Sequence, residues 1–145
     1  MDDHRNWHSV SLRIFGDALE MQEFSSRLGI EPTYVARKGE HIRQNLRYAI
    51  HDTDLWTWSY PSPDDVPFEV QIDGLLAKLE PAQAYLRSLF ARGDTTGELF
   101  LGFSSTNGQG GAFFSATLLA RVASLGLSLS LDLYPPEAAI ADSAP

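Results

Sequence analysis

The chain has 145 residues, a length typical of a single domain. It contains no cysteine, which excludes disulfide bonds, thiolate nucleophiles and thiolate metal sites, and we expect a cytoplasmic protein. With 11 basic and 19 acidic side chains the net charge is −8, and such a surface repels phosphates, so we expect no nucleic acid partner. Residues 1–7 do not resemble a signal peptide, and no apolar run approaches the roughly 20 residues that cross a bilayer, so we expect no membrane partner.

The first half of the chain predicts a strand, a helix and two further extended segments. Residues 10–14 alternate apolar and polar side chains, which is typical of a strand with one buried face. Asp17 and Glu20 have the spacing of a capping box, and the helix that they would open ends at Gly29. Residues 33–36 predict a short extended piece, and residues 55–60, rich in aromatic side chains, predict a strand.

The second half predicts two helices, a strand, a glycine-rich loop, a third helix and a last strand. The first two helices meet at Pro81, since proline suits the first turn of a helix and interrupts a preceding one. After a strand at residues 98–104 and turn-forming residues at 105–111, Ser115 has the properties of a helix N-cap. Residues 127–134 alternate leucine with polar residues throughout and predict a strand.

These elements predict an α+β fold of the two-layer α/β sandwich type, ferredoxin-like, with a mainly antiparallel sheet and helices on one face. We expect residues 8–134 to form one domain, after a polar segment at 1–7 and before a disordered tail at 135–145. The leucines of residues 127–133 should point toward the helices. In a ferredoxin-like arrangement the last strand lies beside the first, so Arg13 and Asp132 should meet on the open face of the sheet.

Several short segments, taken in order, resemble a bacterial family known as domain of unknown function 4279. They are residues 11–16, 28–33, 37–40, 108–111 and 125–134. The resemblance supports the domain boundary. It implies no activity, cofactor or catalytic residue.

One candidate ligand site combines a locally basic segment, two tryptophans and the glycine-rich loop. Backbone N–H groups of such a loop and a guanidinium can bind an anion beside an aromatic wall. Tight-turn geometry and core packing are the commoner uses of these residue types, and both alternatives stay open. The candidate residues are Arg37, Lys38, Trp56, Trp58, Asn107, Gly108, Gln109, Gly110 and Gly111.

The sequence offers no recognisable catalytic or metal-binding set. His4 and His8 would suit a metal only on a helix, which their surroundings do not predict, and His41 and His51 lie in a poorly patterned stretch. A serine nucleophile motif is incomplete. We therefore expect no cofactor and no metal, and we regard an enzyme as less favoured without excluding one.

The leading hypothesis is a non-catalytic protein-interaction or regulatory domain, of an immunity or accessory type by analogy. Its acidic surface and open sheet face would contact a protein partner or a second copy of the chain. The alternative is a small anionic-ligand-binding module that uses the candidate site described above. The candidate interaction face consists of Ser11, Arg13, Ser128, Ser130, Asp132 and Tyr134.

Overall fold

The computed structural model describes residues 5–42 and 49–135. Its strands are β1 (Asn6–Gly16), β2 (Tyr34–Ala36), β3 (Asp54–Ser59), β4 (Thr95–Ser105) and β5 (Ser128–Tyr134). Its α-helices are α1 (Met21–Leu28), α2 (Phe68–Leu79), α3 (Gln83–Ala91) and α4 (Ala116–Ser124). The predicted tail lies almost entirely outside the described residues, and β1 already begins within the segment 1–7.

The strands form one mixed sheet in the order β2-β3-β1-β4-β5. All neighbouring pairs are antiparallel except β4 and β5, which run parallel. The α+β class with a mostly antiparallel sheet is therefore confirmed, but the ferredoxin-like order with the last strand beside the first is not observed. Because β1 pairs with β4 along its whole length, β5 is confined to the far side of β4, and helix α4 supplies the crossover that a parallel pair needs.

The core lies between one face of the sheet and the helices. Val10, Leu12 and Ile14 alternate along β1 and are fully buried there. All four helices contribute buried residues to the same apolar cluster, so they cover a single face. None of the described helices combines the length and the apolarity that crossing a membrane requires.

The leucines of β5 correct the sequence prediction. Three of them are 37%, 55% and 64% exposed, namely Leu129, Leu131 and Leu133. Leu129 and Leu131 lie opposite Leu99 and Leu101 of β4, which are fully buried, so the leucines do share the face that carries the helices. The prediction that helices cover them is wrong, because the helical layer ends before the edge of the sheet. Only Leu127, which precedes the strand, is buried.

Three of the four helix-end features predicted from the sequence are found in the structure, and the capping box is not. Helix α1 ends as predicted at Gly29, whose φ is 67°. The predicted capping box is absent, since α1 begins at Met21 and Glu20 makes no side-chain cap hydrogen bond. Ser115 does cap α4, with its hydroxyl oxygen 3.1 Å from the Leu118 nitrogen. The Pro81 junction is also found, as a turn of 3-10 helix between α2 and α3.

Candidate functional site

Strand β5 forms one edge of the sheet and carries three exposed leucines. It is seven residues long, and within the described residues no strand pairs with its outer side. An edge strand presents unpaired backbone N–H and C=O groups, which natural proteins normally protect with charge, proline or short length. The strand carries a single charged residue, Asp132, and no proline. We call this strand, with its outward backbone and its exposed leucines, the β5 edge.

The polar side chains of β5 alternate with its leucines and lie on the open face of the sheet, the face without helices. Asp132 shares that face with an aromatic pair. The ring centroids of Trp7 and Tyr134 are 5.9 Å apart at an angle of 67°. The Trp7 ring covers Gly102 so closely that a Cβ atom there would lie 3.1 Å from its Cζ3 atom. Because Asp132 is the register partner of Gly102, its side chain lies on the same face of the sheet as the indole. We call Trp7, Asp132 and Tyr134 the open-face corner.

At the centre of the open face, the charged and polar side chains contact one another. Arg13 lies 3.6 Å from the Glu98 carboxylate, and its guanidinium is 4.7 Å from the centroid of the Phe100 ring. The Ser130 hydroxyl donates to Glu98 at 2.7 Å. The charged groups at the centre of the open face, Arg13 and Glu98, therefore already have partners within the chain.

The six residues of the predicted interaction face all lie on the open face, but in two separated groups. Two are on β1 and four on β5, with β4 between them. The predicted meeting of Arg13 and Asp132 is wrong. Arg13 pairs with Glu98, and Asp132 lies opposite Gly102, which is four residues, about 13 Å, further along β4.

The basic segment at Arg37 and Lys38 is held by a buried carboxylate. Asp54 accepts hydrogen bonds from the Arg37 guanidinium at 2.7 Å, the Lys38 N–H at 2.8 Å and the Leu19 N–H at 3.0 Å. Burial alone would raise the pKa of Asp54, but these hydrogen bonds and the charge of Arg37 outweigh burial, so the pKa lies below its ordinary value. The arrangement anchors the chain after β2, and one guanidinium nitrogen of Arg37 is engaged by Asp54 and by the Leu19 carbonyl oxygen.

The glycine-rich loop lies at the other end of the sheet from Arg37. It follows Ser105, which pairs with Asn6, whereas Asp54 pairs with Gly16 at the far end of β1. Ten residues of strand separate these ends by about 33 Å. The structure therefore does not bring the glycine loop and the basic segment into one ligand pocket.

Turn geometry and close packing account for the glycine loop itself. The Asn107 side-chain oxygen accepts hydrogen bonds from the Ser105 hydroxyl at 2.7 Å and from the Gln109 N–H at 2.9 Å. Gly108 has a φ of 72°, which favours glycine. Gly110 lies directly against the Phe103 ring, where a side chain would clash. A Cβ atom at Gly111 would meet no other residue within 4 Å, so close packing does not require glycine there.

The two tryptophans of β3 belong to the core rather than to a ligand wall. Trp56 is fully buried, with its ring centroid 6.1 Å from that of Phe24. Trp58 is partly buried and packs edge to face with Tyr60 at 5.8 Å. Core packing, the commoner alternative, is the one that the structure supports.

A groove of about 420 Å³ between α1 and α3 is a competing site. Two of its charged groups are paired, since Glu23 lies 4.0 Å from Arg27, which stacks on the Tyr85 ring at 4.3 Å. A hydrogen bond with Glu20 raises the pKa of Glu23, with burial and the Glu20 charge adding to the effect. The formal charges of the lining residues sum to zero, with two glutamates, Glu20 and Glu23, and two arginines, Arg27 and Arg92, so we rank the groove below the β5 edge.

Two features of the site escaped the sequence analysis. Trp7 was assigned to a polar leading segment, yet it is part of β1. Gly102 in the interior of β4 was a usable signal, because glycine within a strand often marks the close approach of another group. In the described residues no cluster of three or more metal-binding side chains is found.

A five-stranded mixed sheet with helices on one face and an exposed leucine edge defines an α+β protein. The chain matches the family described as Domain of unknown function (DUF4279) over residues 5–136, and it belongs to that family. No curated protein matches the chain, and no solved structure matches it.

Proposed function

We propose that this protein is a non-catalytic interaction domain whose β5 edge accepts an extended segment of a protein partner as an additional strand. The observation that carries the proposal is the row of leucines at 37%, 55% and 64% exposure on an edge strand of seven residues. Strand addition uses backbone hydrogen bonds for affinity and alternate side chains for specificity. Both elements are present on β5. A regulatory or accessory role, including an immunity-type role, fits such a domain.

The energetics favour a partner that pairs with the backbone as well as covering the leucines. Burying a leucine fully contributes roughly 1.5–3 kcal/mol, so three leucines about half exposed contribute on the order of 3 kcal/mol. Association costs an estimated 4–15 kcal/mol in lost freedom, which the leucines alone do not offset. Each net hydrogen bond adds about 1 kcal/mol, so several backbone pairs along β5 would complete the balance.

The contacts of His8 and His51 are typical of histidines that stabilise a fold, which supports a non-catalytic role. His8 is buried against the rings of Phe68 and Phe103, and its Nδ1 atom is 3.2 Å from the Asp64 carbonyl oxygen. The Nε2 atom of His51 lies 3.0 Å from the Tyr34 hydroxyl. Neither ring contacts a serine or threonine nucleophile in the described contacts.

The proposal can be tested by selecting a displayed library of random peptides on the immobilised full chain. We expect enriched peptides to share apolar residues at alternate positions and to lose binding to a Leu131→Thr variant. Threonine keeps the strand propensity while removing the apolar surface. The matched control is Val35→Thr on the opposite edge strand, where the native side chain is 43% exposed.

Selected peptides that bind the Leu131→Thr variant as well as they bind the wild-type chain would contradict the proposal. The same holds if the Val35→Thr control loses binding to an equal extent. Far-ultraviolet circular dichroism of both variants establishes that each remains folded.

A further inference from the structure

Resting on the proposed function, we infer that the partner segment alternates apolar with basic residues, so that its basic side chains reach the open-face corner. The partner strand would place alternate side chains on the two faces of the sheet, as every strand does. Each face of β5 therefore selects one of the two alternating sets. The two faces make different demands.

The face that carries the helices selects apolar residues. A strand added to β5 would bring its side chains within about 5 Å of Leu129, Leu131 and Leu133, the ordinary distance between cross-strand neighbours. Those leucines are the exposed extension of a core whose neighbouring positions, Leu99 and Leu101, are fully buried. Apolar residues on the added strand would continue that core by one strand.

The open face selects basic residues because of Asp132 and its neighbours. Asp132 is the single charged residue of β5, and the salt bridges of the described residues do not include it. On the same face lies Trp7, 36% exposed, whose indole packs over Gly102, the register partner of Asp132, and contacts the ring of Tyr134. A carboxylate next to aromatic rings attracts a lysine or arginine side chain by charge and by the cation–π interaction, worth about 0.5–2 kcal/mol. The Glu98 carboxylate, on the same face about 13 Å away along β4, is already engaged by Arg13 and Ser130.

Charge also separates this partner from a second copy of the chain. β5 reads Ser-Leu-Ser-Leu-Asp-Leu-Tyr and contains no basic residue, so a β5 strand from another copy would supply no cation to Asp132. Two copies would each carry a net charge of −8 and repel one another. A basic segment would instead be attracted to the whole molecule as well as to the corner.

The test uses four synthetic peptides of equal length, with binding to the full chain measured by fluorescence anisotropy. The first alternates valine with lysine, the second valine with serine, and the third valine with glutamate. The fourth has the composition of the first in scrambled order, which separates strand pairing from general attraction to an acidic protein. We expect the valine–lysine peptide to bind about tenfold more tightly than the valine–serine peptide, which corresponds to about 1.4 kcal/mol.

Two substitutions with the same change in charge locate the effect. Asp132→Asn should reduce the affinity for the valine–lysine peptide about tenfold, to that of the valine–serine peptide. Glu31→Gln, an exposed position between α1 and β2 at the opposite edge, should leave it unchanged.

The outcomes distinguish the inference from the proposed function. If the valine–serine and valine–lysine peptides bind equally and both depend on Leu131, the inference is overturned and the proposed function stands. If no peptide binds, the proposed function fails as well. Equal binding of the scrambled peptide, an equal loss with Glu31→Gln, or dimerisation through β5 in sedimentation would each overturn the inference.

Discussion

The two edges of the sheet are built in opposite ways. β2 has three residues, and the chain that follows it is anchored to β3 by the Asp54 carboxylate. β5 has seven residues, and its three leucines become more exposed toward the end of the strand. The β2 edge is therefore short, has charged residues next to it and is anchored by hydrogen bonds, whereas the β5 edge is long and apolar.

This difference indicates that the exposed leucines are not an unavoidable result of the sheet having edges. Short strands and charged neighbours are the usual ways to protect an edge, and the chain uses both at β2. At β5 it uses neither, apart from Asp132. Long apolar edges are liable to aggregate, so their retention favours a partner that covers them.

The largest expected effect contrasts two leucines that are neighbours in register. Leu101→Ala should lower the free energy of unfolding by about 3 kcal/mol, because it removes a fully buried side chain. Leu131→Ala, its partner on β5, should lower it by less than about 1 kcal/mol, because that side chain is 55% exposed. Urea denaturation measures both values. Comparable losses in the two variants would show that β5 is covered in solution.

The next effect concerns the anchor behind the β2 edge. Asp54→Ala should lower the free energy of unfolding by about 2–3 kcal/mol, because it leaves the Leu19 and Lys38 N–H groups without their acceptor in a buried site. Asp17→Ala is the matched control, since that carboxylate is 73% exposed and lies 3.9 Å from Lys38. Its effect should stay within about 0.5 kcal/mol. A small loss for both variants would mean that the anchor contributes little.

The same anchor should make stability depend on acid. The pKa of Asp54 is lower in the folded state than the ordinary value of about 3.9. The carboxylate therefore contributes fully to the free energy of unfolding above about pH 4, and this contribution is lost as the pH falls through the folded-state pKa. Asp54→Asn removes this dependence. We expect the free energy of unfolding of the wild-type chain to fall more steeply below about pH 4 than that of the variant. Parallel curves in urea titrations at successive pH values would contradict the assignment.

The smallest effect concerns the exposed apolar surface itself. Leu131→Lys should reduce the fluorescence of a bound hydrophobic dye while leaving stability nearly unchanged. Val35→Lys should reduce dye fluorescence less, since Val35 is 43% exposed on a strand of three residues. Equal reductions would indicate that the two edges do not differ in accessible apolar surface.

Much of the local structure could be predicted from residue patterns. The alternation at residues 10–14, the aromatic run at 55–60 and the leucine alternation at 127–134 all indicate strands that exist. Gly29 and Ser115 mark helix ends that the structure contains. The capping box at Asp17 failed because Ala18 has a φ of 54°, which turns the chain before the helix begins.

The candidate site was less predictable because its residues meet through pairing between distant strands. Trp7 reaches Tyr134 only because β4 lies between β1 and β5 and carries Gly102 at the crossing point. Asp132 was correctly assigned to the open face, but its predicted partner was wrong. Sequence spacing alone does not determine which strands are neighbours.

The sequence by itself determined where most strands and helices lie and which side chains of each strand share a face, because those patterns repeat over two to four residues. The tertiary structure alone decided the strand order and how far the helices extend over the sheet. Both depend on pairing between segments about 90 residues apart, as in β1 and β4. The alternation of the β5 leucines in the sequence therefore predicts which face of the sheet they occupy. Their exposure depends instead on the helices, which end before the edge of the sheet.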